Sequence, residues 1–480
     1  ECLDAAYKVG NSIKVRKTLL ELFPESKHAK ESLYFLGGSY QAIAYYDQAA
    51  TRYEQFSEKY PKDKRSADAL QNAYLFQLGL GNEERADANL KKYEAIYKKK
   101  DVDRAARIFW SKHALIDNEE EQRAHALEYL KVYGTRGGKD RAAVAEAEIA
   151  IIDWKRSCKE DLLYDSCLSV KRQRALSAAE EIEKKKRMEA KLKRAEEAEK
   201  RRKKREAGKD DDEDSKKKKK KYIPPKRCGS ATQGVITIHE RDKKLAAGAQ
   251  KRFKKVAGIA RKSPKIPAGE IQRVEAFKNA WGAALVYIAD QEYEDYLGTT
   301  MPTGLDFNVE EYKKDSPIKE WAEEYEQQVK TAADSKKRFG EYFDKKRKSL
   351  LSLTEQYAKV KATGSPYWIL ASSARTALLS QNFADELYRA EVPRSFKTED
   401  QYYAYCDSMA DFAGPLEKQA VEAFDYCIGR STEFQFFNTF SRLCEEEMQQ
   451  RDAEKFPATN EQFGESTYTA SRIATVGVMT

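Results

Sequence analysis

Apolar positions between residues 30 and 61 follow a helical period in two consecutive runs. Positions i, i+3, i+4 and i+7 are neighbours on a helix of 3.6 residues per turn, so each run predicts one amphipathic helix. A proline that cannot continue a helix follows the second run, and the two helices are expected to form an antiparallel hairpin. These positions are Leu33, Leu36, Gly37 and Tyr40, then Ala49, Tyr53 and Phe56, and finally Pro61.

The same pattern recurs along the first third of the chain, and its first recurrence follows at a spacing of 37 residues. Phe23-Pro24 returns as Tyr60-Pro61. The second helix of the hairpin returns as Ala86, Leu90 and Tyr93, and more weakly as Ala126, Leu130 and Tyr133. A single hairpin cannot bury its apolar face, so repetition of this kind predicts a stack of hairpins.

The eight positions of the hairpin resemble the signature of the tetratricopeptide repeat. Leu33 stands where the family usually has Trp, Tyr53 replaces Phe, and Phe56 replaces the smaller Ala. The resemblance implies an α-solenoid over residues 1–156 that binds other proteins. Because Gly10-Asn11 is a typical turn sequence, we also expect a short helix before it and another after it.

Residues 171–225 differ in composition from the segments on either side. Lys and Arg outnumber Asp and Glu by 25 to 13 between residues 171 and 227, whereas the whole chain carries a net charge of +9. The first part predicts a charged helix with few apolar positions, and the blocks at 210–214 and 216–221 are uniformly acidic and uniformly Lys. Like-charge blocks stay solvated, so this segment is interpreted as a linker or insertion between helical regions.

Helical periodicity resumes in residues 226–456, which predict a second helical-repeat region. The longest predicted helix, 316–363, is expected to break near Asp334. Residues 457–480 are polar and predict an extended tail. The fold class predicted for the whole chain is therefore all-α. The other helices are predicted at 103–116, 119–133, 140–156, 241–262, 268–296, 366–390, 399–429 and 432–450.

The C-terminal quarter is similar to large tetratricopeptide-repeat proteins of myxobacterial cell envelopes, some of which belong to gliding-motility machinery. SPYWILASSARTALLSQNFADELY and the region of Cys427 and Cys444 carry the likeness. The resemblance implies a scaffold in the periplasm or at the outer membrane, and it transfers no functional residue.

The seven cysteines form no CxxC motif. Cys427 and Cys444 lie near the ends of predicted neighbouring helices, and Cys158 and Cys167 flank a short break. Disulfides at these two places would suit an oxidising compartment. Ordinary half-buried thiols remain the alternative.

Catalytic, cofactor and metal motifs are absent from the sequence. The four histidines, His28, His113, His125 and His239, do not occur in a metal-ligand spacing, and GTRGGKD lacks the spacing of a phosphate loop. We therefore expect no enzyme, no cofactor and no metal site, although a Cys/His pair formed only in the fold stays open.

The expected function is a protein-binding scaffold of an envelope complex, with no membrane-spanning segment. The predicted binding groove lies on the first array near Tyr40, Gln41, Gln71 and Asn72. The alternative is a cytoplasmic protein that binds nucleic acid or an anionic surface through the Lys-rich residues 184–221. That segment has no interleaved aromatic residues, which makes nucleic acid the less favoured partner.

Overall fold

The structure is a computed structural model that describes residues 8–171, 223–229, 235–267, 269–451 and 454–456. Almost all regular structure in these residues is helical, which confirms the all-α class. The helices are α1 (Val9–Leu22), α2 (Ala29–Ala42), α3 (Tyr46–Lys59), α4 (Ser66–Gly79), α5 (Glu83–Tyr97), α6 (Val102–Ser111), α7 (Glu119–Val132), α8 (Lys139–Ser157), α9 (Lys243–Ala260), α10 (Ile271–Gly298), α11 (Lys319–Ala358), α12 (Pro366–Tyr388), α13 (Glu399–Phe434) and α14 (Thr439–Arg451).

Short elements supplement these helices. Two strands pair in antiparallel fashion, from Leu168 opposite Ile238 to Lys171 opposite Val235. The strands and the 3-10 turns are β1 (Leu168–Lys171), β2 (Val235–Ile238), Lys112–Leu115, Gly134–Gly137, Glu311–Lys313 and Lys359–Thr363.

Two local predictions were wrong. Gly10 and Asn11 lie inside α1, where the helix passes straight through the expected turn. Likewise α11 continues past Asp334, whose carboxylate pairs with Arg338 one turn later. An exposed i,i+4 ion pair of this kind supports a continuous helix rather than a break. The expected helix before Gly10, the charged segment and the tail lie outside the described residues.

The chain folds into two compact units. The first comprises Glu1–Cys167, His239–Gln291 and Lys359–Trp368, and the second comprises Leu168–Ile238, Glu292–Ala358 and Ile369–Thr480. This division differs from the predicted end of the first array at residue 156, because α9 packs along α8 within the first unit. Glu146 of α8 is buried and accepts hydrogen bonds from Arg252 and Lys255 of α9.

Consecutive helices of the first unit pack against each other from α1 to α5. All eight signature positions are in the expected places: seven are buried in or beside the core, and Pro61 follows the end of α3 and is exposed. The core continues towards α7 through Tyr74, Tyr93 and Tyr129. Farther along, Phe253 of α9 stacks on Tyr287 at 5.1 Å between ring centres.

The second unit is centred on buried aromatic residues of α11 and α12, among them Tyr342 and Phe383. Lys346 is buried there as well, and its ammonium donates to the carbonyls of Tyr296 and Thr299 at the end of α10. These two bonds satisfy carbonyl groups that a helix terminus leaves without partners inside the helix.

Three disulfides link the described cysteines. Cys158–Cys167 closes a loop in the first unit, directly after α8. In the second unit Cys427–Cys444 joins α13 to α14, and Cys228–Cys406 ties the segment before β2 to α13. The last pair was not foreseen, because its members are 178 residues apart in the sequence.

Candidate protein-binding site

Of the four residues predicted to line a groove, one is buried and the other three form side-chain hydrogen bonds within the first unit. Tyr40 is buried, so its side chain is not available to a partner. The hydroxyl of Tyr53 donates to Oε1 of Gln41 at 3.0 Å and also hydrogen-bonds Asn72. Burial raises the pKa of Tyr53 to about 12, so the hydroxyl keeps its proton. Gln41 and Asn72 are therefore brought together around a structural tyrosine.

Gln71 is bonded to the following hairpin. Its Oε1 accepts from Nε of Arg104 at 2.6 Å, and the same guanidinium pairs with Asp68 at 2.5 Å. Because Gln71 is already engaged, a partner would have to displace an ion-paired arginine in order to bind it.

Arg104 belongs to a series of ion pairs that join consecutive hairpins, here called the arginine ladder. Each pair joins an arginine at or just before the start of one helix to a carboxylate on the first helix of the preceding hairpin. The sequence separations are 34, 36 and 38 residues, each close to the repeat length. The members are Arg65–Glu31, Arg104–Asp68 and Arg141–Asp103.

The ladder extends beyond α8. Arg273 of α10 pairs with Asp140 at 2.8 Å, and Asp140 is almost completely buried. These partners are 133 residues apart, because the charged segment and α9 lie between them in the sequence. An arginine–carboxylate pair of the same kind thus joins two helices that lie on opposite sides of the insertion in the sequence.

An apolar surface lies where the first two hairpins turn. Ile43, Tyr45 and Tyr46 of the first turn are more than a third exposed, as is Leu80 at the end of α4. The rings of Tyr46 and Phe76 lie 5.1 Å apart and join the two turns, and Phe76 is one helical turn before Leu80. These five residues are called the turn patch. Clustered apolar side chains that are open to solvent are typical of contact sites for other proteins.

The third hairpin contains a pair of histidines, His113 in the turn Lys112–Leu115 and His125 in α7. Nδ1 of His113 lies 3.3 Å from Nδ1 of His125. Burial lowers the pKa of His113, and burial together with the neighbouring His113 and Lys112 lowers the pKa of His125 to about 4. Both shifts favour the neutral form of the ring. Sequence spacing gave no sign of this pair, since its members lie on different elements.

The structure contains no conventional metal cluster in the residues that it describes: no three His, Cys, Asp or Glu side chains are grouped to hold an ion. Six of the seven cysteines are in disulfides and so offer no thiol. No helix among the described residues is long and apolar enough to cross a bilayer. The Lys-rich residues 184–221 lie outside the described part of the chain.

Comparison with known proteins gave no match, either to a protein-family model or to a curated protein.

Proposed function

We propose that this protein is a non-catalytic scaffold that binds other proteins, and that its first unit is a tetratricopeptide-like solenoid. The arginine ladder supports this proposal, because one type of contact recurs at the repeat length between successive hairpins. Each contact joins only neighbouring hairpins, as in quasi-one-dimensional repeat arrays. The pairing of Arg273 with Asp140 extends the proposed array past the insertion.

The binding surface that we propose is the turn patch, in place of the groove around Gln41 and Gln71. The observation that carries this choice is the exposure of Tyr45, at 59%, in a turn whose Ile43 and Tyr46 are also open to solvent. Tyrosine is among the residue types that contribute most to binding energy at interfaces. Among the groove residues, by contrast, Tyr40 is buried, and Gln41, Gln71 and Asn72 hydrogen-bond within the unit.

We propose further that the protein works in a bacterial cell envelope, in the periplasm or at the outer membrane. Three disulfides support an oxidising compartment, since thiols are kept reduced in the cytosol of most organisms. Gliding-motility machinery is the assembly that the C-terminal resemblance implies. Alkylation of the protein from its native cell under denaturing, non-reducing conditions tests this proposal: modification of six additional thiols would place it in a reducing compartment.

The scaffold proposal is tested by crosslinked capture of partners from envelope extracts. Tyr45→Ser combined with Leu80→Ser should reduce capture at least about tenfold, because each removes an exposed anchor that contributes on the order of 1 kcal/mol or more. The matched control is Leu351→Ser, an equally exposed apolar residue of α11 in the other unit. Equal capture by the patch variant and the control would contradict the assignment of the turn patch.

A further inference from the structure

The rings of His113 and His125 are held by aromatic neighbours. His113 stacks on Trp110 at 4.2 Å between ring centres, with 17° between the planes. His125 stacks on Phe109 at 4.5 Å, with 13° between the planes. Parallel stacking restricts rotation of each imidazole, so the two Nδ1 atoms face each other in a fixed arrangement. Ligands fixed in this way favour metal binding, because the side chains lose little conformational entropy when the ion binds.

We propose that His113 and His125 form a two-ligand site for a tetrahedral divalent metal ion of the zinc type. Two nitrogens bound to one tetrahedral zinc ion at about 2.0–2.1 Å lie about 3.3–3.4 Å apart. The observed separation of the two Nδ1 atoms is 3.3 Å. Adjacent nitrogens of a square-planar copper(II) ion would need a shorter separation, of about 2.8–2.9 Å.

The charges around the pair are compatible with a cation. Lys112 is adjacent to His113, but its ammonium lies 3.0 Å from Glu83 and 3.4 Å from Asp87. The two carboxylates have two negative charges and the ammonium has one positive charge, so the three side chains together have a net negative charge. Metal ions bind to the unprotonated ring nitrogens of histidine. Two positions of a tetrahedral ion would then be left for water in the free protein.

The test is calorimetric titration of the intact, untagged protein with Zn²⁺ at pH 7.5. We expect one zinc ion per chain, and we expect His113→Gln and His125→Gln each to weaken binding at least about tenfold, because a chelating pair becomes a single ligand. The matched controls are His28→Gln and His239→Gln, the other two histidines of the chain. They should bind zinc like the unmodified protein.

A second measurement does not depend on the variants folding. Co²⁺ bound to the unmodified protein should give the visible absorption of a tetrahedral complex, and Zn²⁺ should displace it and shift the NMR signals of two histidine side chains. Two results would overturn the proposal: absence of one-to-one binding to the unmodified protein, or binding that is unchanged in both His113→Gln and His125→Gln. In either case the contact between His113 and His125 is only a hydrogen bond between two imidazoles.

Discussion

Gly37 lies directly against the ring of Tyr53: a Cβ atom at position 37 would fall 2.9 Å from Cε1 of that ring. The ring cannot easily move aside, because it is buried and its hydroxyl is bonded to Gln41. Glycine is thus required here for the close approach of two helices and not for an unusual backbone conformation.

Gly37→Val should therefore destabilise the protein. Overpacking of a filled core costs about 1–3 kcal/mol, and we expect a value near the upper end because the contact involves a whole ring. Gly248→Val in α9 is the matched control, since a Cβ at position 248 would meet no atom within 4 Å beyond its own stretch of helix. Urea unfolding followed by circular dichroism measures both. Equal stability of the two variants would show that the Tyr53 ring does not limit the size of the side chain at position 37.

The arginine ladder gives a second prediction. Arg141 is 5% exposed and bonds to Asp103 and to the carbonyl of Gly137. Arg141→Ala should cost about 2–4 kcal/mol, because it removes packing and leaves that carbonyl without this partner.

Its control is Arg107→Ala in α6, the helix to which Asp103 belongs. Arg107 is 48% exposed and pairs with Glu270 at 3.6 Å. An exposed pair of this kind contributes only about 0–1 kcal/mol. Similar losses in the two variants would contradict a special role for the buried member of the ladder.

Glu310 gives a prediction about pH in the second unit. Hydrogen bonds from Lys313 and Lys397 lower the pKa of Glu310 to about 2 from an ordinary value of 4.5. Because the unfolded chain takes up this proton more readily, the stabilisation is complete above pH 4.5 and is lost as the pH falls towards 2.

The corresponding variant is Glu310→Gln, which should have a lower melting temperature than the unmodified protein at pH 6. The difference between the two should shrink steadily between pH 4.5 and pH 2.5, as the native carboxylate becomes protonated. Thermal unfolding at several pH values measures this. A constant difference across that range would exclude Glu310 as a source of the pH dependence.

The insertion allows a test with two chains. Residues 8–171 and 223–456 meet in the first unit, where α9 packs along α8. No disulfide in the described residues connects these two segments. When they are produced as separate chains under oxidising conditions, they should elute together on size exclusion and separate on a denaturing gel without reductant.

Glu146→Lys is the diagnostic variant for this association. It places a third positive charge beside Arg252 and Lys255, and it buries that charge. We expect the two chains to elute separately, because an unpaired buried charge costs several kcal/mol. Continued co-elution would mean that other contacts hold the segments together.

Much of the helical framework could be predicted from periodicity. The helices predicted at 119–133 and 140–156 agree with α7 and α8 to within one residue at each end, and the prediction at 103–116 covers α6 and the 3-10 turn that follows it. Helical faces and prolines are local signals, read within a few turns of chain. The errors at Gly10 and Asp334 have the same origin, because local turn or charge signals were outweighed by the continuing helix.

The site was less predictable, because its residues meet only through tertiary contacts. Gln41 and Gln71 looked like exposed polar residues, yet each has a partner on another helix. His113 and His125 lie on different elements, and Cys228 pairs with a distant cysteine. Sequence spacing alone does not predict such pairs. The repeat length did contain one usable signal, since Arg104 and Arg141 are 37 residues apart and each is the third residue of its helix.

The pairing of α8 with α9 also affects the order in which the chain folds. Arg65 and Glu31 are separated by 34 residues, so their hairpins can dock soon after they emerge from the ribosome or the export channel. Glu146 must wait for Arg252, which follows 106 residues later. Closing so long a loop adds an entropic cost, and the apolar face of α8 stays uncovered in the meantime. During synthesis, a chaperone could therefore bind this face of α8 until α9 has emerged.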